Sequence, residues 1–397
     1  MVDKLLVKAP KITQSRLESM GLGWYYGGDQ WKYIAEEMVL IQEDQSKAYE
    51  QAARDCLEMI GQAVGHVIQH EKYEELGLSD RVKSLVEFSW NEPGQLHFYG
   101  RLDFSGGLTE DHPIQLLEYN GDTCTMLPES SAIQWEQLMS GALASSGYAQ
   151  FNTIFQDIVE RFKELIEANS HLDRTLLLSH LGHEEDRLNI EFLYAAALEA
   201  GFEDVKICRL DEVDFSAEEG IFLEVDGAYY PFGFWYKMLP WEYTLQEEPE
   251  LFDLLESIVM NRLAVVLNPP YSILYQSKGL LKILHELFPE SPYLLKSSTD
   301  SKDFKGEAFV EKPFFGIEGE NIKIFNAQNK VMESSEGDFA ENPMLYQSFV
   351  SLDKDSEERI YQAGVFHASD VSGLSFRRID GLIIDEDAEF VGHIIHP

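Results

Sequence analysis

The sequence predicts a mixed α/β and α+β protein in three parts. These are an N-terminal helical scaffold with a polar hairpin (1–167), a small parallel-sheet α/β unit (168–268) and a strand-rich lid (269–397). Three observations carry that expectation. Apolar residues recur at helical spacing between Ile34 and Ile68. Short apolar runs alternate with helical ones from Thr175 to Leu267, as β–α units with parallel strands require. A succession of short β-prone runs then fills the chain from Ala308 to Ile394.

Taken in order, residues 29–71 read as one helix, with Asp29 near its start and Trp31, Ile34, Met38, Ile41, Ala53, Leu57, Ile60, Val64 and Ile68 along its stripe. Leu96–Phe104 and Ile114–Asn120 read as strands joined by the turn-rich SGGLTEDHP, a hairpin. Helices are expected over 133–143 and 155–166. In the next unit Thr175–His180, Val205–Arg209, Ile221–Val225, Ala228–Tyr230 and Arg262–Leu267 are strands, and Leu188–Ala200 and Leu251–Met260 are helices. Asn268-Pro269-Pro270 punctuates the chain. A helix over Ile273–Leu287 follows, then strands at 308–312, 321–325, 344–349, 359–366, 374–378, 382–384 and 389–394.

Composition narrows the function. With 397 residues and 44% hydrophobic content the chain can bury more than one core. Lys and Arg number 31 against 70 Asp and Glu, a formal charge of −39, and no basic run exists. Nucleic acid is therefore not an expected partner. Such a field favours a cationic substrate, such as a polyamine, although acidity can also be a plain property of the surface. Cys56, Cys124 and Cys208 are too far apart for a metal motif or a disulfide framework, which fits a reducing compartment. The N-terminal residues lack a signal-peptide core and no apolar run is long enough to span a bilayer, so a soluble cytoplasmic protein is expected.

Two clusters carry chemistry. Side chains alternate along a strand, so Arg101 and Asp103 share a face, as do Glu118 and Asn120. Paired as a hairpin, they gather one guanidinium, two carboxylates and an amide. Three hard oxygen ligands of this kind suit Mg²⁺ that takes its other ligands from water and phosphate. A wet surface hairpin with Arg101 paired to Asp103 or Glu118 is the plain alternative. The second cluster is Val310-Glu311-Lys312-Pro313-Phe314-Phe315-Gly316-Ile317-Glu318-Gly319, where Lys312 can reach a phosphate and the glycines let backbone N–H groups approach one. Lys278 lies upstream, and Met344–Phe349 is a candidate hinge strand whose backbone meets an adenine edge. Arg377 and Arg378 add cations. His180, His183 and Asp186 have metal-like spacing, but HLGHEEDR reads as a loop entering a helix whose N-terminus favours acidic residues. Cys124 has no histidine base near it in sequence.

In these motifs the chain resembles the synthetase part of the glutathionylspermidine synthase family. RLDF, LLEYNGDTCT, WYKMLPWE, QSKGLLKILHELFP, VEKPFFGIEGENI, MLYQSFV, GLSFRR and FVGHII occur in family order across about residues 24–396. The resemblance implies an ATP-grasp-like ligase with a pre-ATP-grasp substrate domain, using ATP and Mg²⁺. It implies metal ligation by Asp103, Glu118 and Asn120. ATP contacts would come from Lys278, Lys312, Glu318, Gly319, the hinge Tyr346, Gln347, Ser348 and Phe349, and Leu382, Ile383 and Ile384. Arg101 and Arg377 would flank the transferred phosphoryl group. Thr123, Glu184 and Glu185 would fall in the site for a peptide such as glutathione and an amine such as spermidine. Two departures stand out: Ile317 replaces an arginine of the family's glycine loop, and Met238 replaces a threonine that contacts glutathione. No amidase domain precedes residue 1, so hydrolysis of the amide product is not expected. The resulting expectation is a carboxylate–amine ligase working through an acyl phosphate. Open beside it are a ligase on another peptide and amine, a nucleotide-binding protein without ligation, and an acidic scaffold for cationic partners.

Overall fold

The computed structural model describes residues 1–26 and 33–397. Its organising element is a six-stranded antiparallel sheet. Strands run in the order Glu389–Val391, Val371–Ile379, Ile360–His367, Gly100–Ser105, Gln115–Asn120, and the short Asp353–Lys354 pairs with the start of Ile360–His367. The expected hairpin is present, and its register sets Arg101 opposite Asn120 and Asp103 opposite Glu118. A slip of one residue would turn all four to the other face. The first strand begins at Gly100 rather than Leu96.

The long helix is Glu43–Gln69, shorter at its start than 29–71. Gln45 Oε1 accepts the Gln42 N–H at 2.9 Å, and Glu43 and Asp44 occupy the first turn, so the start signal lies at Gln42. Tyr49, Ala52, Ala53, Cys56, Ile60, Ala63, Val64 and Val67 form its buried stripe. Met38 and Ile41, counted above as helical, sit on the strand Glu37–Ile41. That strand pairs antiparallel with Leu6–Lys8 and parallel with His393–Ile395. The short apolar run MVLI is as good a strand signal as a helical one, and two partner strands decide it. Asp29 and Trp31 lie outside the described residues.

Between Thr175 and Leu267 four strands form a wholly parallel sheet, ordered Val265–Leu267, Phe234–Tyr236, Thr175–His180, Asp204–Arg209. Three of them are buried almost end to end, as expected when elements cover both faces. The strands at 220–225 and 228–232 do not join this sheet. With Val213–Ser216 they make a separate antiparallel meander. The helix Glu184–Ala200 opens on three acidic residues and stops at Gly201, which is left-handed at φ 100°.

The lid is a five-stranded antiparallel sheet ordered Ser297–Ser298, Met344–Ser348, Phe309–Pro313, Lys323–Phe325, Val331–Ser334. Two expectations need correction here. The helix over 273–287 is two helices, Ser272–Gln276 and Leu280–Leu287, broken where Lys278 N–H donates to Phe314 O at 2.8 Å. Leu382–Ile384 is not a strand. Its Leu382 and Ile383 N–H groups donate to the Glu333 carboxylate at 2.9 and 3.1 Å instead of to a neighbouring strand. No helix among the described residues is long and apolar enough to cross a membrane.

Candidate functional site

The six-stranded sheet, the lid and the C-terminal ends of the parallel strands enclose a cavity of about 960 Å³. All but two of the residues to which the resemblance gives a metal, ATP, phosphoryl or substrate role line it. Arg101, Asp103, Glu118, Asn120 and Arg377 come from the six-stranded sheet, and Thr123 from the loop after the hairpin. Lys312, Glu318, Gly319, Gln347, Ser348 and Phe349 come from the lid, Lys278 from the helix break, Leu382, Ile383 and Ile384 from the C-terminal segment, and Glu185 from the start of its helix. The exceptions are Tyr346 and Glu184. Tyr346 turns to the other face of its strand, 5.8 Å from the Phe309 ring centre, and Glu184 faces outward onto Arg187 Nε at 2.9 Å.

Arg101 forms a fork with Asp103, Nε to Oδ1 at 2.7 Å and Nη2 to Oδ2 at 3.0 Å, and Asn120 Nδ2 donates to Oδ2 at 2.9 Å. Burial pushes the Asp103 carboxyl upward, and the bidentate Arg101 guanidinium opposes that shift. Burial alone would also raise Glu118, but Lys278, Lys312 and Arg101 outweigh it and hold Glu118 at about 2. Lys278 Nζ lies 3.4 Å from Glu118 Oε2 and donates to Gly316 O at 2.8 Å, tying the glycine loop to the hairpin. Lys312 Nζ donates to Leu117 O at 2.8 Å, and burial lowers its ammonium to about 8. Arg377 Nη2 donates to Asp385 O and Ala388 O, while its buried Nε has no partner among the described residues.

The donor set fits Mg²⁺ brought in by a polyphosphate. Glu118 Oε1 and Asn120 Oδ1 accept no hydrogen bond among the described residues, whereas both Asp103 oxygens are engaged. No cluster of three His, Cys, Asp or Glu suited to a metal exists among the described residues. An all-protein cage is thus not offered, and an ion that keeps waters and phosphate ligands suits such a sparse set. The spacing of His180, His183 and Asp186 serves the helix start, with His180 Nδ1 accepting the Gly182 N–H at 3.1 Å.

The lining is mixed. Val310, Ile322, Ile324, Leu352 and Ile383 supply apolar surface, with Gln347 among the polar groups. Arg101, Lys278, Lys312 and Arg377 supply the cations. Glu185, Asp186, Glu318 and Glu386, close enough to act on one another's charge, make an acidic end near Arg377, and Trp24, Tyr33, Met238 and Asp387 also line the cavity. The strand Met344–Ser348 is paired on both sides, so its backbone is occupied through Ser348. The Phe349 N–H also donates to Ala308 O at 3.0 Å, so the next backbone groups without a partner among the described residues are the Phe349 carbonyl and the Val350 N–H, and both residues line the cavity.

Three buried groups that support the site went unread in the sequence. Asp122 accepts both of its short contacts from Lys237 Nζ at 2.8 Å and further bonds from Trp241 N and Ser272 Oγ, which fixes the loop bearing Thr123 and Cys124 to the parallel-sheet unit. A lysine closing the apolar run FGFWYK was the available signal. Asn268 clamps the same loop, accepting from Phe98 N at 2.6 Å and donating to Tyr99 O and Asp122 O. Glu129 is fully buried near the acidic end, and nothing in PESSA marks it. Cys124 lines the cavity, but burial pushes its thiol up to about 12, which disfavours the nucleophilic thiolate.

A family model described as glutathionylspermidine synthase preATP-grasp matches residues 4–396. A putative acid–amine ligase from Haemophilus influenzae is 24% identical over 339 residues, covering 83% of this chain and 82% of that protein. The bifunctional glutathionylspermidine synthetase/amidase of Escherichia coli is 23% identical over 327 residues, 77% of this chain but 50% of that protein, so the chain spans about half the length of this relative. Among solved structures, a glutathione synthetase-like effector from Globodera pallida superposes with a TM-score of 0.55 at 10% identity over 90% of this chain and 89% of that one, a likeness of fold.

Proposed function

The chain belongs to the glutathionylspermidine synthase preATP-grasp family, and on that premise we propose that it is an ATP- and Mg²⁺-dependent carboxylate–amine ligase built on an ATP-grasp-like core. One observation carries the reading. The oxygens of Asp103, Glu118 and Asn120 and the ammonium groups of Lys278 and Lys312 meet in one cavity, although they come from separate stretches of chain and two different sheets. We keep 1–167, 168–268 and 269–397 as the proposed units around it.

Glu118 and Asn120 would hold the metal through their unengaged oxygens, with Asp103 joining them as its Arg101 fork rearranges. Bound there, Mg²⁺ neutralises phosphate charge as the terminal phosphoryl group moves. The apolar surface takes the nucleobase, and the backbone at Phe349–Val350 takes its polar edge. Lys278 and Lys312 bind the phosphates as point charges. Arg101 and the unpartnered Nε of Arg377 stabilise the charge that develops on the transferred group. Thr123 orients the carboxylate substrate, and the acidic end binds the ammonium of the amine. The loop around Gly319 shields the site, because an acyl phosphate is lost to water in an open one.

The names of the family and its relatives suggest glutathione as the acid and spermidine as the amine. A second reading, a different peptide with a different amine, is favoured by Met238, which lines the cavity with a thioether where the family places a hydroxyl. The test is phosphate release from Mg-ATP over small peptides crossed with polyamines and amino acids. Amine-dependent release accompanied by an amide of matching mass is expected. Asp103→Asn should lower that turnover about 100-fold or more, as loss of a charge-stabilising group does. A flat screen, or an Asp103→Asn protein that turns over like the parent, would remove the ligase reading.

A further inference from the structure

Within reach of the charges of Glu185 and Arg377 lies a buried carboxyl group with one oxygen that has no partner among the described residues. Glu129 is fully buried; its Oε1 accepts the Tyr25 hydroxyl at 2.6 Å, and its Oε2 has no partner among the described residues. An orphan oxygen of this kind is a cost that an apolar residue at the same place would avoid. Glu129 also lies in a π-helical stretch, Pro128–Ile133, a rare geometry that recurs at functional sites.

The groups whose charge reaches Glu129 come from every side of it. They are Tyr25 on Gly23–Tyr26, the neighbouring Tyr33, Glu185 on Glu184–Ala200, and Arg377 on Val371–Ile379. Tyr33, Glu185 and Arg377 line the cavity, and Glu129, which does not line it, lies within reach of their charges. Burial, reinforced by the negative charge of Glu185, pushes Glu129 up to about 7 against the pull of the Tyr25 hydroxyl. Such a group exchanges a proton at neutral pH. Glu242, the other buried carboxyl pushed up to about 7, faces Asp122, Lys237 and Lys278 instead of this acidic end.

The ligase reading, on which this inference rests, requires such a proton acceptor. An alkylamine arrives as an ammonium without a free electron pair. We propose that Glu129 is the proton reservoir for the attacking amine, taking the proton through Glu185 at the cavity surface. One N–H proton passes from the ammonium to the Glu185 carboxylate and on to Glu129. The freed nitrogen pair forms the bond to the acyl carbon. The carbon–oxygen bond of the acyl phosphate breaks with its electron pair going to the leaving phosphate, which takes the second N–H proton. Acid, amine and ATP thus give amide, ADP, phosphate and one proton, held by the carboxyl pair until release. Because Glu129 reaches the amine only through Glu185, it is a positioning residue.

The test compares two nucleophiles with Mg-ATP and glutathione. Spermidine must lose a proton before attack, whereas hydroxylamine is already uncharged at neutral pH and gives a hydroxamate. Glu129→Gln should lose about 100-fold in turnover with spermidine, the scale of general-base catalysis, and keep hydroxamate formation within about threefold. Tyr25→Phe removes a donor to the carboxylate, so the acid limb of kcat/KM with spermidine should move to higher pH while that with hydroxylamine stays. Should Glu129→Gln fail to fold, the Tyr25→Phe profile decides alone. Equal losses with both nucleophiles, no loss with spermidine, or an unmoved acid limb would each overturn the relay while leaving ligation intact. A parent enzyme silent with both nucleophiles across all the peptides of the phosphate-release screen would instead remove the ligase reading, and the relay with it.

Discussion

Glu184 and Glu185 are neighbours in sequence and opposites in space. Glu185 faces the cavity, and burial together with the nearby Glu318 raises its carboxyl, while Glu184 is spent on Arg187. Glu185→Gln should therefore raise the KM for the amine about tenfold, equivalent to one charge-assisted contact, and lower turnover with spermidine by breaking the proton path, whereas Glu184→Gln should leave both unchanged. Steady-state kinetics with the amine varied separates the two. Lys312 gives a pH-dependent prediction. Burial lowers its ammonium to about 8, so the charge is present below that value and is lost as pH rises through it. Mg-ATP affinity measured calorimetrically should be flat towards neutral pH and weaken above about 8, because binding must then take up a proton. Lys312→Met should bind nucleotide about 10- to 100-fold more weakly and lose that pH slope. Most of the individual site residues were legible because each sits in a motif with its own chemical logic. Glu129 and Asn268 were not, since only neighbours brought from elsewhere in the chain make a buried carboxyl or amide meaningful.

The glycine loop shows what sequence leaves open at the level of elements. VEKPFFGIEGENI announces a strand, a loop and a strand, and Phe309–Pro313 and Lys323–Phe325 bear that out. What the loop packs against is a separate matter. Gly319 is left-handed at φ 74°, and a Cβ there would come within 2.5 Å of Ile384 O. Gly319→Ala combines backbone strain of about 1–2 kcal/mol with that collision, and the loop must lift from the C-terminal segment. The expected outcome is a KM for ATP raised about tenfold with little change in Tm, since the loop is a local element. A wild-type KM would show that the loop does not close on nucleotide. Leu382–Ile384 fails as a strand for a related reason: its N–H groups find the Glu333 carboxylate, a partner no local pattern encodes.

At the scale of the whole molecule the charge of −39 frames a cavity whose lining includes the cations Arg101, Lys278, Lys312 and Arg377. A polycationic amine is drawn toward such a field, and Debye screening weakens the attraction as salt rises. Between about 50 and 300 mM salt, kcat/KM for spermidine should fall several-fold, on the order of tenfold, while that for hydroxylamine should hardly move. Equal salt dependence for both nucleophiles would confine the acidity to the surface and leave it no part in substrate capture.

The residues by themselves determined the alternation that makes the parallel sheet, the strand alternation that puts Arg101 on one face with Asp103 and Glu118 on one face with Asn120, and the composition of the phosphate loop. Each depends on side-chain periodicity or on a glycine's freedom over a few consecutive residues. Only the tertiary structure decided that the hairpin and the loop face one cavity, that Glu185 points in and Glu184 out, and that the terminal strands pair with each other. These are contacts between residues far apart along the chain. Burial, and with it every shifted proton affinity in the site, exists only once those distant segments exclude water together.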